Sequence, residues 1–234
     1  MCFFAAIGIK WRMKTPIVQS DTGVTLLGGG AVAAADVHAA LTIAPRLVAA
    51  DGGGDAALGM GITPAAVIGD LDSLSEGARA RLGARVHPVA EQDSTDFGKC
   101  LAHVAAPFFL GLGFTGLRLD HTLATLSDIV QEPRPVILIG EEEVIFRAPP
   151  RLALDLGPGT RVSLFPFGPV SGRSTGLRWP IEGLAFDPAG RVGTSNEALG
   201  PVTLEISGAA LVLLPKAALR AALCGLGLSP ARGG

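Results

Sequence analysis

Apolar and polar positions change rhythm once along this chain, near residue 140. Before it, short apolar runs alternate with stretches of helical spacing. Val24-Thr25-Leu26-Leu27 leads through Gly28-Gly29-Gly30 into an Ala-rich stretch ending at Ile43, and Arg46 to Ala50 leads through Asp51-Gly52-Gly53-Gly54-Asp55 into a short helix. Ala65-Ala66-Val67-Ile68 ends in Gly69-Asp70-Leu71-Asp72-Ser73, and Arg85 to Val89 runs through Gln92-Asp93-Ser94-Thr95-Asp96 into a helix over about 95–104. Pro107 to Gly111 reads as a buried strand, followed by a helix whose core face is marked by Leu119, Leu123, Leu126 and Val130; Pro135 to Ile139 closes the series. Strand, turn and helix in repetition predict a mostly parallel sheet with helices on both faces, whose ligands sit beyond the carboxyl ends of the strands.

After Ile139 helical periodicity fades. Short alternating runs, Arg151 to Leu156, Thr160 to Phe165 and Val202 to Ile206, are separated by Gly157-Pro158-Gly159, Gly168-Pro169 and Gly200-Pro201. This spacing predicts an all-β sandwich, then Leu211 to Leu214, a short Ala-rich helix and a Gly/Pro-rich tail. The expected fold class is therefore α/β, Rossmann-like at the N-terminus, with a C-terminal all-β sandwich. We divide it as an N-terminal arm over 1–20, an α/β domain over 21–140 and a β domain over 141–234. Met13 is an alternative start to Met1.

Composition narrows the partners. With 48% hydrophobic residues, 17% charged residues and a formal net charge of -2, the chain should fold as a globule, and no global field draws it to nucleic acid or membranes. Cys2, Cys100 and Cys224 are odd in number and far apart, which points to neither a disulfide framework nor a metal cluster and fits a reducing cytoplasm. Met1 to Ile9 is apolar but too short to span a bilayer.

The acidic turns carry the candidate chemistry. On an extended chain Asp70 and Asp72 point the same way, while Leu71 turns inward. Two carboxylates suit Mg²⁺, which takes oxygen ligands together with substrate phosphates; the alternative is an Asp-x-Asp-Ser turn that merely caps the next helix. Asp51 also stands at a strand end. Asp96 either joins the pair as a third metal or phosphate ligand or forms a surface pair with Lys99. Lys99 in the first case, and Arg118, meet phosphate charge. Asp93, Ser94 and Thr95 are candidate caps; Asp120 is a cap or a ligand-edge acid, and His121 a solvated side chain or part of the same edge.

In order, Leu27-Gly28-Gly29, Ala50-Asp51-Gly52-Gly53, Gly69-Asp70-Leu71-Asp72-Ser73, Gln92 to Phe97 with Lys99, and Arg118-Leu119-Asp120-His121 resemble the thiamin pyrophosphokinase family. The resemblance implies Mg²⁺-dependent transfer of the terminal diphosphate of ATP to thiamin, and a homodimer with the thiamin site shared between subunits. It implies metal ligation by Asp70, Asp72 and Asp96, catalysis by these with Lys99 and Arg118, and substrate contacts from Asp51, Gly52, Gly53, Gln92, Thr95, Asp120 and His121. Leu117 stands where the family usually has glycine and Thr125 where it usually has asparagine. Two later stretches, Ser174 to Pro180 and Gly193 to Glu197, resemble the family's thiamin-binding segments: Trp179 would stack on a ring of thiamin, and Ser195 and Asn196 would hydrogen-bond its pyrimidine. Core packing for Trp179 and an ordinary turn for Ser195 and Asn196 are the alternatives. A glycosyltransferase using Asp70 and Asp72, or a thiamin-binding module without catalysis, are the rival functions.

Overall fold

The structure, a computed structural model, describes residues 14–91, 93–116 and 118–228. In chain order the N-terminal half contains β1 (Val18–Gln19), β2 (Val24–Leu27), α1 (Ala34–Ile43), β3 (Arg46–Ala50), α2 (Gly53–Gly59), β4 (Ala66–Gly69), α3 (Glu76–Leu82), β5 (Val86–Pro88), α4 (Asp96–His103), β6 (Val104–Ala105), β7 (Phe109–Leu112), α5 (Leu119–Gln131) and β8 (Val136–Ile139). The C-terminal half adds β9 (Glu143–Arg147), β10 (Arg151–Leu154), β11 (Arg161–Pro166), β12 (Ser171–Leu177), β13 (Gly193–Ser207), β14 (Ala210–Pro215) and α6 (Leu219–Gly225). These elements make a mixed α/β fold with large sheets.

β3, β4 and β5 pair in parallel on one side, and β2, β7 and β8 pair in parallel on the other. β3 lies beside β2, where the Thr25 hydroxyl donates to the Ala44 carbonyl and Val24 bridges to Pro45. The chain therefore winds from β2 through β3 and β4 to β5, then returns to β7 on the opposite flank of β2. Such a reversal opens a crevice at the strands' carboxyl ends. Side chains alternate between the two faces, as strand geometry requires. Leu26, Val136 and Leu138 join Phe97, Cys100, Leu101 and Ile129 on the α4 and α5 side, while Leu27, Ile137 and Ile139 join Val37, Ala40 and Ala57 on the α1 and α2 side.

The described end of the N-terminal arm is docked. β1 runs parallel to β6, and Ile17 N–H donates to the His103 carbonyl. Residues 1–13, including Cys2 and both candidate starts, lie outside the described residues.

β8 turns directly into β9, with which it pairs antiparallel, so the hydrogen-bonded ladder continues through β14 and β11 to β13. The 15-residue β13 serves two sheets: its first part pairs with β11, and its second with β10 and β12. Gly200-Pro201, read from sequence as a strand boundary, instead lies inside β13 where it passes between sheets. Proline is tolerated there because the ladder with β12 shifts register between Thr175 and Leu177. Gly176, at φ +75, leaves no room for a Cβ, which would fall 2.0 Å from the Pro201 carbonyl oxygen. The α1-side core is continuous with the interior of these sheets, from Leu27 and Ile139 to Val162, Leu204 and Leu214.

α5 departs from expectation. Leu119 and Leu123 are 72% and 53% exposed, and the helix is buried instead through Thr125 and Ile129. Each of these precedes an expected core position by one residue, a rotation of about 100° around the helix. Leu126 and Val130 still pack partly against the α4-side core, so only the first part of the expected stripe, Leu119 and Leu123, faces outward.

Candidate active site

At the reversal point a cavity of about 540 Å³ opens over the carboxyl ends of β2, β3, β4 and β7. Its walls are the glycine turn after β2, Asp51 and Gly52, Asp70 and Ser73, the start of α4 from Ser94 to Lys99, Gly113 to Thr115, and the beginning of α5. A larger open groove of about 1000 Å³ between residues 155–161 and α6 holds none of these acidic turns.

Three carboxylates converge in the cavity. One oxygen each from Asp51, Asp70 and Asp96 lies within 4.8 Å of the others. The expected trio had Asp72 in place of Asp51. The extended-chain argument for Asp70 and Asp72 lapses because β4 ends at Gly69 and Leu71 adopts φ +68, which breaks the alternation while leaving Leu71 buried. Asp72 is exposed, accepts the Ser73 hydroxyl at 2.9 Å and sits beside Asp51. Ser73 with Asp51 lowers its carboxyl below the ordinary range. Neither Asp70 nor Asp72 caps the next helix. Ser75 does so, accepting Ala78 N–H at 3.1 Å.

Asp51 is the deepest of the group, 4% exposed, with φ +44. Its Oδ2 accepts Ser73 N–H, but its buried Oδ1 meets no donor among the described residues. Burial pushes its carboxyl up to about 6; the Ser73 amide opposes this, and Asp72 and Asp96 add to it. A buried, unpartnered carboxylate oxygen beside two more carboxylates fits an oxygen-seeking divalent cation. Left-handed backbone at a non-glycine residue costs about 1–3 kcal/mol and concentrates at functional sites. Asp51, Leu71 and Ser195 are the described non-glycine residues that adopt it, and all three fall within the motifs singled out from sequence.

Lys99 supplies the cluster's own positive charge. Its ammonium, 3% exposed, lies 2.9 Å from Asp96 and 3.3 Å from Asp70. Burial alone would lower its pKa, but the two carboxylates outweigh it and the net shift is upward. Arg118, expected to be free for phosphate, is instead forked onto Asp120, with contacts of 3.1 and 2.6 Å. This exposed pair lowers the Asp120 carboxyl to about 2. Arg118 and His121 line the cavity; Gln92 and Leu117 lie outside the described residues.

Thr95 is the cap of α4, its hydroxyl accepting Gly98 N–H at 2.8 Å. Gly53 is no cavity wall: it opens α2 so close to β2 that a Cβ would fall 2.0 Å from the Leu27 carbonyl oxygen. Its place is fixed by packing, and Gly52 alone of the two glycines lines the cavity. Sequence reading missed Ser73, Phe114 and Thr115 as lining residues; their position after the strands ending at Gly69 and Leu112 was the available signal.

The remaining motifs lie on the C-terminal sheets and do not line this cavity. Trp179 is 56% exposed, with the Arg178 guanidinium 5.8 Å from its ring centre. Core packing is excluded for it. Asn196 clamps the Trp179 backbone: its Oδ1 accepts Trp179 N–H at 3.2 Å, and its Nδ2 donates to the Trp179 carbonyl at 2.7 Å. The same Oδ1 accepts Glu197 N–H, so most of this amide is spent on the protein itself. Ser195 sits at the register shift between β11 and β13, with φ +62 and an exposed side chain.

Residues 37–138 match the family model "Thiamin pyrophosphokinase, catalytic domain", and 151–211 match "Thiamin pyrophosphokinase, vitamin B1 binding domain", together more than half of the chain. The chain belongs to the thiamin pyrophosphokinase family. Thiamine pyrophosphokinase 1 of Oryza sativa subsp. japonica is 25% identical over 154 residues, covering 57% of this chain and 58% of the rice protein. The match thus spans little more than half of that relative's length. Among solved structures, the thiamin pyrophosphokinase from Candida albicans aligns with a TM-score of 0.70 at 16% identity, covering 86% of this chain and 93% of that one. The Geobacillus thermodenitrificans thiamin pyrophosphokinase gives 0.69 at 23% identity, covering 82% and 96%. At these identities the structural likeness establishes the fold. The first family segment carries the carboxylate cluster and the second carries Trp179, Ser195 and Asn196.

Proposed function

We propose that this chain transfers the diphosphate of ATP to the hydroxyl of thiamin, giving thiamin diphosphate and AMP. The observation that carries the reading is the convergence of Asp51, Asp70 and Asp96 at the strands' carboxyl ends, with an orphaned Asp51 oxygen among them. Asp51, Asp70 and Asp96 would hold Mg²⁺, and Asp72 stands beside Asp51. A cation bound there would supply neutralisation of charge on the diphosphate oxygens of ATP. The glycine turn after β2 and Gly52 allow the phosphates close to the backbone, and Thr95 and His121, which line the cavity, border the nucleotide, with Asp120 beside it through its pair with Arg118. Lys99 and Arg118 meet the charge that develops on the transferred group, Arg118 by exchanging Asp120 for phosphate oxygens.

The thiamin hydroxyl attacks the β-phosphorus; the bond from that phosphorus to the bridging oxygen breaks, and AMP leaves. A rim carboxylate, Asp72 or Asp96, takes the hydroxyl proton. We assign thiamin to Trp179, Ser195 and Asn196, with Asn196 acting chiefly by holding Trp179 in place. Because these residues do not line the cavity of their own chain, we propose a homodimer in which Trp179 of one subunit faces the carboxylates of the other. The exposed Leu119 and Leu123 suit such an interface. Within this reading residues 21–140 form a Rossmann-like ATP domain and 141–234 a thiamin-binding sandwich. No described helix is long and apolar enough to cross a membrane, and the free Cys100 and Cys224 suit a reducing cytoplasm. The test is direct: incubate the protein with Mg²⁺, ATP and thiamin and measure AMP and thiamin diphosphate. Equimolar formation of both is expected; AMP without thiamin diphosphate, or neither product, refutes the reading.

A further inference from the structure

One half-buried acid has no part in the chemistry above. Asp128 lies on the third turn of α5, and its Oδ2 accepts the Thr95 hydroxyl at 2.5 Å. Burial pushes its carboxyl up to about 6, the Thr95 hydroxyl opposes this, and no charged side chain contributes. A carboxylate placed there without a cation is unfavourable to the fold. Proteins tolerate such destabilising groups where function uses them.

The use lies in the hydroxyl it binds. Thr95 has one proton to donate and two lone pairs. An ionised Asp128 can only accept, so the proton is committed to Asp128 while a lone pair takes Gly98 N–H. That leaves the cap a single orientation. The next residue is Asp96, and one turn further comes Lys99, both members of the cluster. The opposite end of α4 is held from the same segment of chain, where Arg134 donates to the carbonyls of Leu101 and Val104 at 2.6 and 2.7 Å.

We propose that Asp128 is a positioning residue: by fixing the Thr95 cap it sets where the first turn of α4 places Asp96 and Lys99. Its consequence for turnover rests on the diphosphate-transfer reading; its consequence for the cap does not. Asp128→Leu removes the acceptor while keeping the branching at Cγ, Asp128→Asn keeps an acceptor oxygen, and Thr95→Val removes the hydroxyl. Asp128→Leu should melt no lower than the unmodified protein, yet exchange its Gly98 amide about 10-fold faster, the expected effect of losing one charge-assisted hydrogen bond. Its turnover should fall about 10- to 100-fold with the thiamin KM unchanged, as displaced reacting groups do. Asp128→Asn should restore turnover to within a few-fold, and the Asp128→Leu, Thr95→Val double variant should lose no more than the worse single one.

Unchanged Gly98 exchange and turnover in Asp128→Leu overturn the proposal, as do losses that multiply in the double variant. Equal losses in the Leu and Asn variants accompanied by lower melting also overturn it, since they mark a purely structural role. Should Asp128→Leu fail to fold, Thr95→Val decides, and wild-type Gly98 exchange in it is the overturning result. If the unmodified protein forms no AMP and thiamin diphosphate, the functional reading falls, while Gly98 exchange still decides the positioning claim.

Discussion

Replacing Lys99 with methionine should make the protein's stability depend on Mg²⁺. In the structure this ammonium is 3% exposed and neutralises Asp96 at 2.9 Å and Asp70 at 3.3 Å. Removing one partner of a fully buried pair costs about 3–5 kcal/mol, because a charge is left without compensation. Here the abandoned carboxylates keep 26% and 36% of their exposure, so water recovers part of the loss and we expect about 2 kcal/mol. For a chain of this size that lowers Tm by about 4–8 °C in EDTA. A divalent cation held by Asp51, Asp70 and Asp96 should then substitute for the missing charge. At 100 times its Kd the cation returns about 2.7 kcal/mol, enough to erase the deficit. The unmodified protein should gain less from Mg²⁺, since there the cation competes with Lys99 for two of its ligands. Thermal or urea unfolding of both proteins across a MgCl₂ titration measures this directly. Equal Mg²⁺ dependence in the two proteins would refute the idea that Lys99 and the cation share one set of carboxylates.

Asp51→Asn should abolish most transfer while leaving Tm unchanged or higher, because the carboxylate it removes is unfavourable where it is buried; a clear fall in Tm together with retained turnover would displace Asp51 from the cluster. Trp179→Ala should raise the thiamin KM by roughly 5- to 150-fold, from a stacking contribution of about 1–3 kcal/mol, with the ATP KM nearly constant. Mixing Trp179→Ala, Ser195→Ala, Asn196→Ala chains with Asp70→Asn, Asp72→Asn chains should restore activity through hybrid sites; no recovery despite subunit exchange would place thiamin within a single chain. Because the Asp128 carboxyl stands at about 6 against an unfolded value near 3.8, the folded state holds a proton the unfolded state has lost between these values. Stability should therefore fall as pH rises from about 4 to 6, by up to roughly 2–3 kcal/mol, and this component should vanish in Asp128→Leu. Urea unfolding at a series of pH values checks it, and identical pH profiles for the two proteins would contradict the assignment.

The parallel half of the fold was legible because each apolar run ends in a Gly- or Asp-rich turn, and a strand end followed by helical spacing has few other interpretations. The candidate site was legible for the same reason, since all its acidic turns fall at carboxyl ends of strands. Which acids converge was not. Strand alternation stops at Gly69, and the left-handed Leu71 re-aims Asp72, a local departure that the period-2 pattern does not encode. Asp51 enters the trio through the side-by-side placement of β3 and β4. The core face of α5 was read correctly at Leu126 and Val130 and misread at Leu119 and Leu123, which continue the same apolar stripe but stay exposed. Asp128 escaped notice altogether: a single acid at the end of an amphipathic helix looks like solvated surface until α4 is seen against it. Along β13 the Gly200-Pro201 pair carries the usual sign of a strand boundary, and only its position between two sheets explains why the strand continues.

The short turn from β8 to β9 has a practical meaning. Gly140 N–H donates to the Glu143 carbonyl, and from there the backbone ladder and the apolar interior run into the C-terminal sheets without a break. Lys216 reaches back to Asp36 on α1 at 3.0 Å, closing the same junction from the far side. The two family segments are therefore not cassettes on a string. A cut at this turn would strip one sheet of its neighbour strand and open a seam of Ile139, Val144 and Phe146 to water, so the halves are expected to be made, melted and inherited together.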